Sequence, residues 1–403
     1  MKSKKISFKN RDGVTLSARL EMPVTHKPQH FAIFAHCFTC SKDLRAVRNI
    51  ADGLTNKGFG LLRFDFTGLG QSEGDFSETN FSSQVSDLLS ACSYMKENHK
   101  PPVLMIGHSL GGTAALIAAS ELPDLRAVAT IGSPADPLHV KHLIESDIDE
   151  IKSEGKAKVT IAGRSFTIKS QFLEDLEKNS IKNRLKKLKK SLLILHSPQD
   201  RIVSIGEAEK IYTAAMHPKS FVSLDGADHL LSREEDGLYT GELIASWAKR
   251  YLDHKSDPVA ESTEGTWVRL GDEEDKFTTQ IQMGKHSLMA DEPRSAGGYD
   301  YGPSPYDLLN ASLGSCTAMT LRMYANHKKW DLKEVRIHLQ HEKKHVSDAE
   351  NTDKNEKLDH ITRTIELDGD LDDKQKKRML EIADKCPVHK SLTQTIVIES
   401  RLK

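Results

Sequence analysis

An α/β domain with a mostly parallel sheet, followed by an α+β domain, is what the sequence predicts, and three observations carry that expectation. Over residues 6 to about 224, short apolar runs alternate with helical patterns, the signature of a parallel sheet with helices between its strands. Residues 255–265, KSDPVAESTEG, mix Pro, Ser, Glu and Gly without apolar periodicity and read as a linker. Beyond them, two long helical patterns lie between segments of alternating polarity. The 403 residues are therefore divided into 1–254, a linker at 255–265, and 266–403, since one compact core rarely serves such a length.

In the first domain, FAIFAHC (31–37), FGLLRFDF (59–66), VLMIGHS (103–109), AVATIGS (127–133) and SLLILHS (191–197) are near-continuous apolar runs, as strands covered on both faces require. ISFKN and TLSARLEMP, joined through Arg11-Asp12-Gly13, predict an antiparallel hairpin at the sheet edge. Residues 136–190 are too long for a simple crossover and predict a small cap. A helix around GELIASWAKRYLDH closes the domain. In the second domain, PYDLLNASLGSCTAMTLRMYANHKK and DDKQKKRMLEIADKCPVH predict helices, while EVRIHLQHE, HITRTIELDG and QTIVIES alternate as strands do.

With 57 Lys and Arg against 58 Asp and Glu, the net charge of -1 offers no global field to concentrate nucleic acid or anionic lipid. No apolar stretch reaches a membrane-spanning length, and MKSKKISFKNRDG has no apolar region behind its basic residues, so a soluble cytoplasmic protein is expected. Five scattered cysteines, one necessarily unpaired, do not resemble an extracellular disulfide framework. Their chemistry is expected to be reactive rather than structural.

Gly107-His108-Ser109-Leu110-Gly111-Gly112 matches G-x-S-x-G, directly after the run VLMI and before the helical run TAALIAASEL. Glycines on both sides relieve a turn where side chains would collide and leave the serine hydroxyl exposed at a helix N-terminus. That hydroxyl is a weak nucleophile until a base takes its proton, so a histidine and an orienting carboxylate are required. His229 follows FVSLDGAD and Asp200 follows SLLILHSPQ, each just past a strand. Asp225 and Asp228 compete for the orienting role, but they leave the same segment as His229 and are poorly placed to hold its ring, so Asp200 is preferred. Two backbone N–H groups would complete an oxyanion hole: Leu110, next to the nucleophile, and Phe38 in the turn after FAIFAH.

AHCFTCSKD, DFTGLGQSEGDF, GHSLGG, HSPQD and GADH together resemble the α/β-hydrolase superfamily, near small-cap serine esterases and acyl hydrolases, over residues 1 to 254. The order Ser, Asp, His is that of the superfamily. The resemblance implies an α/β hydrolase fold and hydrolysis of a small carboxylic ester through an acyl-enzyme, with no metal and no cofactor. Relatives usually carry Gly where this chain has Cys37, so the oxyanion loop is expected to differ in shape.

Cys316 shares helical spacing with Leu309, Leu313, Thr320 and Met323, and Cys386 follows Met379 and Ile382. Two helices packed through those faces would bring the sulfurs together, although spacing alone equally describes small inert core residues. GPSPYDLLNASLGSCTAMTLRMYA and KCPVHKSL resemble the OsmC family of thiol-dependent hydroperoxide reductases, over roughly residues 265–403. The resemblance implies a peroxidatic Cys316, a resolving Cys386, an organic hydroperoxide substrate, an external thiol reductant and a homodimer. Ser304-Pro305-Tyr306-Asp307 stands where the best-studied peroxidase branch has Asn-Pro-Glu, leaving Glu292 or Asp307 as the carboxylate and Arg294 or Arg269 as the cation. A non-catalytic dimerisation scaffold is the alternative.

Three other features are set aside. Cys37-Phe38-Thr39-Cys40 is a C-x-x-C without the second pair that a structural zinc needs. His338 and His341, with His345 beyond, lie in an extended segment where the first two do not share a face in the way a metal site requires. The basic run KNRLKKLKK (182–190) carries Leu185 and Leu188 at helical spacing and predicts an amphipathic surface helix rather than a phosphate-binding patch.

Overall fold

A computed structural model of the chain describes residues 1–24, 28, 30–161, 164–179, 181–252, 265–271, 275–284, 286–345 and 357–402. The chain forms two compact units, Met1–Pro258 and Val259–Lys403. Residues 255–264 of the predicted linker lie outside the described residues.

The first unit is an α/β fold built on a mostly parallel sheet. Its strands are β1 (Lys2–Lys9), β2 (Thr15–Met22), β3 (His30–Ala35), β4 (Phe59–Phe64), β5 (Leu104–His108), β6 (Ala127–Ile131), then β7 (Lys156–Ile161) and β8 (Arg164–Lys169) in the cap segment, β9 (Ser191–His196) and β10 (Lys219–Ser223). Eight of them form one sheet in the order β1-β2-β4-β3-β5-β6-β9-β10. The β1–β2 hairpin sits antiparallel at one edge, β2 is antiparallel to β4, and every pairing from β4 to β10 is parallel. Alternation decides which layer each side chain enters. In β3, Phe31, Ile33 and Ala35 join one core, while Ala32 and Phe34 join the other. Helices α1 (Arg45–Asn56) and α8 (Glu234–Lys249) cover the second core; α2 (Phe81–Asn98), α3 (Leu110–Ala119) and α7 (Ile205–Ala214) cover the first.

Between β6 and β9 the chain forms an irregular 3-10 stretch (Pro137–Asp147), α4 (Ile148–Glu154), the β7–β8 hairpin, α5 (Ser170–Lys178) and α6 (Lys182–Leu185). The basic run thus contributes only one helical turn. Leu185 and Leu188 are buried, and Lys190 turns its ammonium onto the Leu122 and Leu125 carbonyls at 2.7 Å each.

The second unit is an α+β fold. Strands β11 (Thr266–Leu270), β12 (Thr279–Met283) and β13 (His286–Ala290) form an antiparallel sheet that the sequence reading did not anticipate. The long α9 (Pro305–Lys328) opens with a Ser304/Asp307 capping box and proline at its first turn. It lies along the antiparallel pair β14 (Asp331–His345) and β15 (Lys357–Asp370), followed by α10 (Asp373–Ala383) and α11 (Pro387–Thr393).

Three expectations for this unit need correction. DDKQKKRMLEIADKCPVH is two helices, because Pro387 cannot continue α10; Cys386 takes an extended ψ of 141° and caps α11. The apolar stripe of α9 runs through Leu313, Thr317, Leu321 and Ala325, whereas Met323 is exposed. QTIVIES forms no strand, since alternation alone supplies no neighbour for its backbone to pair with, and Val397 and Ile398 are 83% and 82% exposed.

Candidate functional site: a Ser-His-Asp arrangement and a cysteine pair

The carboxyl ends of β3, β5, β6, β9 and β10 carry the loops that matter, which is where open α/β sheets place their ligands. β5 ends at His108 and α3 begins at Leu110, so Ser109 alone makes the turn. Its φ of 55° and ψ of -129° are unfavourable for a residue with a Cβ, and such strain persists only where neighbours over-determine it. The Ser109 N–H donates to the Ile131 carbonyl at 2.8 Å, tying the turn to the end of β6.

Glycines on either side allow that turn. A Cβ on Gly107 would lie 2.4 Å from both the Gly111 oxygen and the Gly112 Cα, and one on Gly111 would lie 2.3 Å from the His36 oxygen. Gly107→Ala therefore meets backbone that cannot yield. It is expected to destabilise the chain by about 3 kcal/mol, read as a lowered urea midpoint; an unchanged midpoint would show that the turn is softer than its geometry implies.

His229 lies in the loop after β10. Its Nδ1–H donates to Asp200 Oδ2 at 2.7 Å, and the Asp200 side chain is 1% exposed. That bond fixes the tautomer, leaving Nε2 unprotonated and able to accept. Asp200 Oδ1 accepts from the Ile202 and Val203 N–H groups at 2.8 and 2.9 Å. Burial works against ionisation of this carboxyl, but the hydrogen bonds from His229, Val203 and Ile202 and the His229 charge outweigh it and hold it below the usual range. A Cβ on Gly132 would come within 3.2 Å of Asp200 Oδ2 and 3.4 Å of His229 Nδ1, so the pair lies against the end of β6 to which Ser109 is tied. No hydrogen bond joins Ser109 Oγ to His229 among the described residues; such contacts are often long before substrate enters. Asp225 instead accepts from the Ser223 hydroxyl, and Asp228 from the Ser232 N–H.

His108 contacts His229, a partnership that the motif alone does not disclose. Its buried ring lies 5.0 Å, centroid to centroid, from that of His229, and its Nε2–H donates to the His229 carbonyl at 2.7 Å. Burial first, then the His229 charge, pushes its pKa down to about 3 from 6.5. The folded state therefore resists a proton that the unfolded state accepts, so stability is present above about pH 6.5 and drains as pH falls toward 3. The expected loss is on the order of 1 kcal/mol per pH unit within that window. His108→Gln, which keeps a donor and removes the titration, should flatten the urea midpoint between pH 6.5 and 4. His36, also held low chiefly by burial, leaves a residual slope.

The turn at 36–40 carries Phe38. The His36 Nδ1–H donates to the Cys37 carbonyl at 2.8 Å and its Nε2 accepts the Phe66 N–H at 3.3 Å. Cys37 and Cys40 form a disulfide with Cα atoms 5.3 Å apart, so here the thiol chemistry is structural, contrary to the sequence expectation. The sequence reading gave the pair no role; residues three apart in a tight turn fall within disulfide reach. Arg164 of β8 donates to the Thr39 carbonyl at 3.0 Å, joining the cap to the turn. The buried Lys42 ammonium pairs with Asp65 Oδ2 at 2.6 Å, anchoring the loop beyond the turn to the end of β4. Among the described residues no backbone acceptor takes the Phe38 N–H, and Leu110 opens α3 with its N–H among the unpaired donors of the first turn.

In the second unit Cys316 is partly exposed and Cys386 is fully buried, its sulfur accepting from the His389 N–H at 3.3 Å and lying 3.6 Å from the hydroxyl of Thr317, the residue next to Cys316. Burial opposes ionisation of Cys386. The His389 N–H, the Thr317 hydroxyl, the Cys316 thiol and the Val388 N–H outweigh it and hold the thiol below its ordinary value. Asp307 spends its carboxylate on Ser304 in the capping box, and Arg269 lies on the exposed β11. A half-buried cation near Cys386 is Arg363 of β15, which nothing in the sequence marks. Cys92, by contrast, is buried and pushed up to about 12 by desolvation, which makes it inert. Among the described residues no group of three His, Cys, Asp or Glu side chains is arranged to hold a metal ion, and no helix is long and apolar enough to cross a membrane. His341 instead pairs with Asp359 at 2.9 Å and stacks on Tyr306.

Comparison with known proteins agrees with this division. A family model described as serine aminopeptidase, S33, matches residues 40–146, and one described as OsmC-like protein matches residues 297–401. The solved structure of the esterase domain from a Rhodothermus marinus protein is 47% identical, covering 62% of this chain and 99% of that one with a TM-score of 0.52. The uncharacterized protein YfhR of Salmonella typhimurium is 24% identical, over 56% of this chain and 74% of its own length. The mitochondrial palmitoyl-protein thioesterase ABHD10 of Mus musculus is 26% identical, over 44% and 62%. The chain thus belongs to the α/β-hydrolase superfamily through its first unit, and its second unit carries an OsmC-like domain.

Proposed function

We propose that the first unit is a serine carboxylic-ester hydrolase working through an acyl-enzyme, and that the second is a thiol-dependent hydroperoxide reductase. In the first, Ser109 attacks the acyl carbon, His229 Nε2 takes the serine proton and returns it to the leaving alcohol, and Asp200 holds the ring and stabilises the imidazolium. The Leu110 and Phe38 N–H groups face the developing oxyanion. The carrying observation is the 2.7 Å Asp200–His229 bond beside a serine strained into the turn between strand and helix. A burst of one leaving group per chain with a chromogenic short-chain acyl ester, followed by slower turnover, tests the acyl-enzyme. A linear trace from time zero would count against an accumulating one. The thioesterase named above makes an acyl thioester the first alternative leaving group to try.

In the second unit, a partly exposed Cys316 followed directly by Thr317, whose hydroxyl lies 3.6 Å from the buried Cys386 sulfur, supports the redox reading. One equivalent of an organic hydroperoxide should convert the two thiols to a disulfide, lowering the intact mass by two hydrogen atoms. Thiols that persist would favour a non-catalytic scaffold. Either way a homodimer is expected, because the unit has a small core and leaves Met319 66%, Met323 72%, Val397 83% and Ile398 82% exposed. Light scattering at twice the chain mass would support that assembly; a monomer would oppose it.

A further inference from the structure

Thr317 follows Cys316 on α9 and is fully buried. Its Oγ1 lies 2.8 Å from the Leu313 carbonyl, 3.6 Å from Cys386 Sγ and 3.0 Å from Arg363 Nη1. A hydroxyl has one proton to give. The guanidinium, always charged, occupies one lone pair of that oxygen, so the hydroxyl proton must choose between the Leu313 carbonyl and the Cys386 sulfur. While Cys386 carries its proton, the thiol can donate to the remaining lone pair and the hydroxyl turns to Leu313. Once Cys386 is ionised, the hydroxyl turns to the sulfur, and the guanidinium behind it polarises the bond.

Arg363 cannot easily leave this post. Nη2 pairs with Asp384 Oδ1 at 2.7 Å, Nη1 also donates to the Ala383 carbonyl at 3.2 Å, and the side chain is only 11% exposed. It projects from the face of β15 that also carries Ile365 and Leu367, which pack on the core. A lysine there offers one point charge and not a fork, and could not hold all three acceptors in this geometry.

We propose that Arg363, acting through Thr317, is a positioning residue for the resolving step, aiming and charge-stabilising the Cys386 sulfur for attack on an oxidised Cys316. This rests on the hydroperoxide-reductase reading above. In the first step the Cys316 thiolate attacks the terminal oxygen of R–O–O–H. The O–O bond breaks, an S–O bond forms, and the departing alkoxide takes a proton to leave as alcohol; sulfur is oxidised to a sulfenic acid as the peroxide is reduced. In the second, the Cys386 thiolate attacks the Cys316 sulfur; an S–S bond forms, the S–O bond breaks, and hydroxide leaves and is protonated to water. An external dithiol then reduces the disulfide. The partly exposed thiol meets the peroxide, and the buried one waits beside it with its charge provided for.

The test uses the full chain, cumene hydroperoxide as oxidant, and rapid quenching with dimedone followed by intact-mass and peptide analysis across pH. Thr317→Val, nearly isosteric, should leave Cys316 oxidation within about twofold of wild type while slowing disulfide formation on the order of tenfold. Dimedone-tagged Cys316 should accumulate, and the acid limb of the resolving step should move to higher pH. Arg363→Lys should do the same to a smaller degree, and Thr317→Ser, which keeps the hydroxyl, should restore wild-type resolution. Disulfide formation as fast in Thr317→Val and Arg363→Lys as in wild type, with an unmoved pH profile, overturns the role of Arg363 alone. Wild-type Cys316 that stays reduced under peroxide overturns the redox reading, and this role with it.

Discussion

Ser109→Ala is expected to lower kcat for ester hydrolysis by about 10⁵- to 10⁶-fold, leaving only the residual acceleration of substrate binding and oxyanion donors. The substitution changes little else. Alanine keeps the Cβ already accommodated at φ 55°, the Ser109 N–H still donates to Ile131, and the hydroxyl makes no hydrogen bond among the described residues whose loss would unfold the turn. Steady-state rates with a chromogenic acyl ester, beside an unchanged urea midpoint, provide the check. Activity above a tenth of wild type would place the nucleophile elsewhere.

Asp200→Asn is expected to cost about 10⁴-fold in kcat with the fold intact. An asparagine oxygen can still accept the Ile202 and Val203 N–H groups, which directs its NH₂ at His229 Nδ1. Two donors then face each other. Relief comes from moving the imidazole proton to Nε2, the atom that must accept the serine proton. The acid limb of wild-type activity should not report Asp200, whose carboxyl is held below its usual range and stays ionised through neutral pH. A variant retaining a tenth or more of wild-type kcat would mean that another acid, with Asp228 nearest in sequence, orients the ring.

Much of this was legible in the residues because it depends on period and punctuation. Buried parallel strands read as unbroken apolar runs, and the β1–β2 edge hairpin was marked by Arg11-Asp12-Gly13. The elbow was legible because only glycine tolerates the contacts around Gly107 and Gly111. What was not legible depends on partners distant in sequence. Nothing around Arg363 distinguishes it from any polar-face residue of an alternating strand; its meaning comes from Thr317 and Asp384, 46 and 21 residues away in sequence. β11 to β13 were missed because their side chains are mostly exposed, so no apolar run advertises them. QTIVIES was misassigned for the converse reason, an alternating pattern without a neighbouring strand in the same chain. Cys386 sat in a helical pattern, but Pro387 decides the backbone there, and a cap places its sulfur against N–H groups where a helix interior would have hidden it.

The central claim is that Ser109, His229 and Asp200 act as one unit, and covalent labelling tests it most directly. The intact chain treated with a fluorophosphonate should gain one phosphonyl group, mapped to the peptide containing Ser109, with no adduct on Ser109→Ala and a rate slowed by orders of magnitude in Asp200→Asn. A label on any other serine, or equal labelling of Ser109 in wild type and Asp200→Asn, would contradict it.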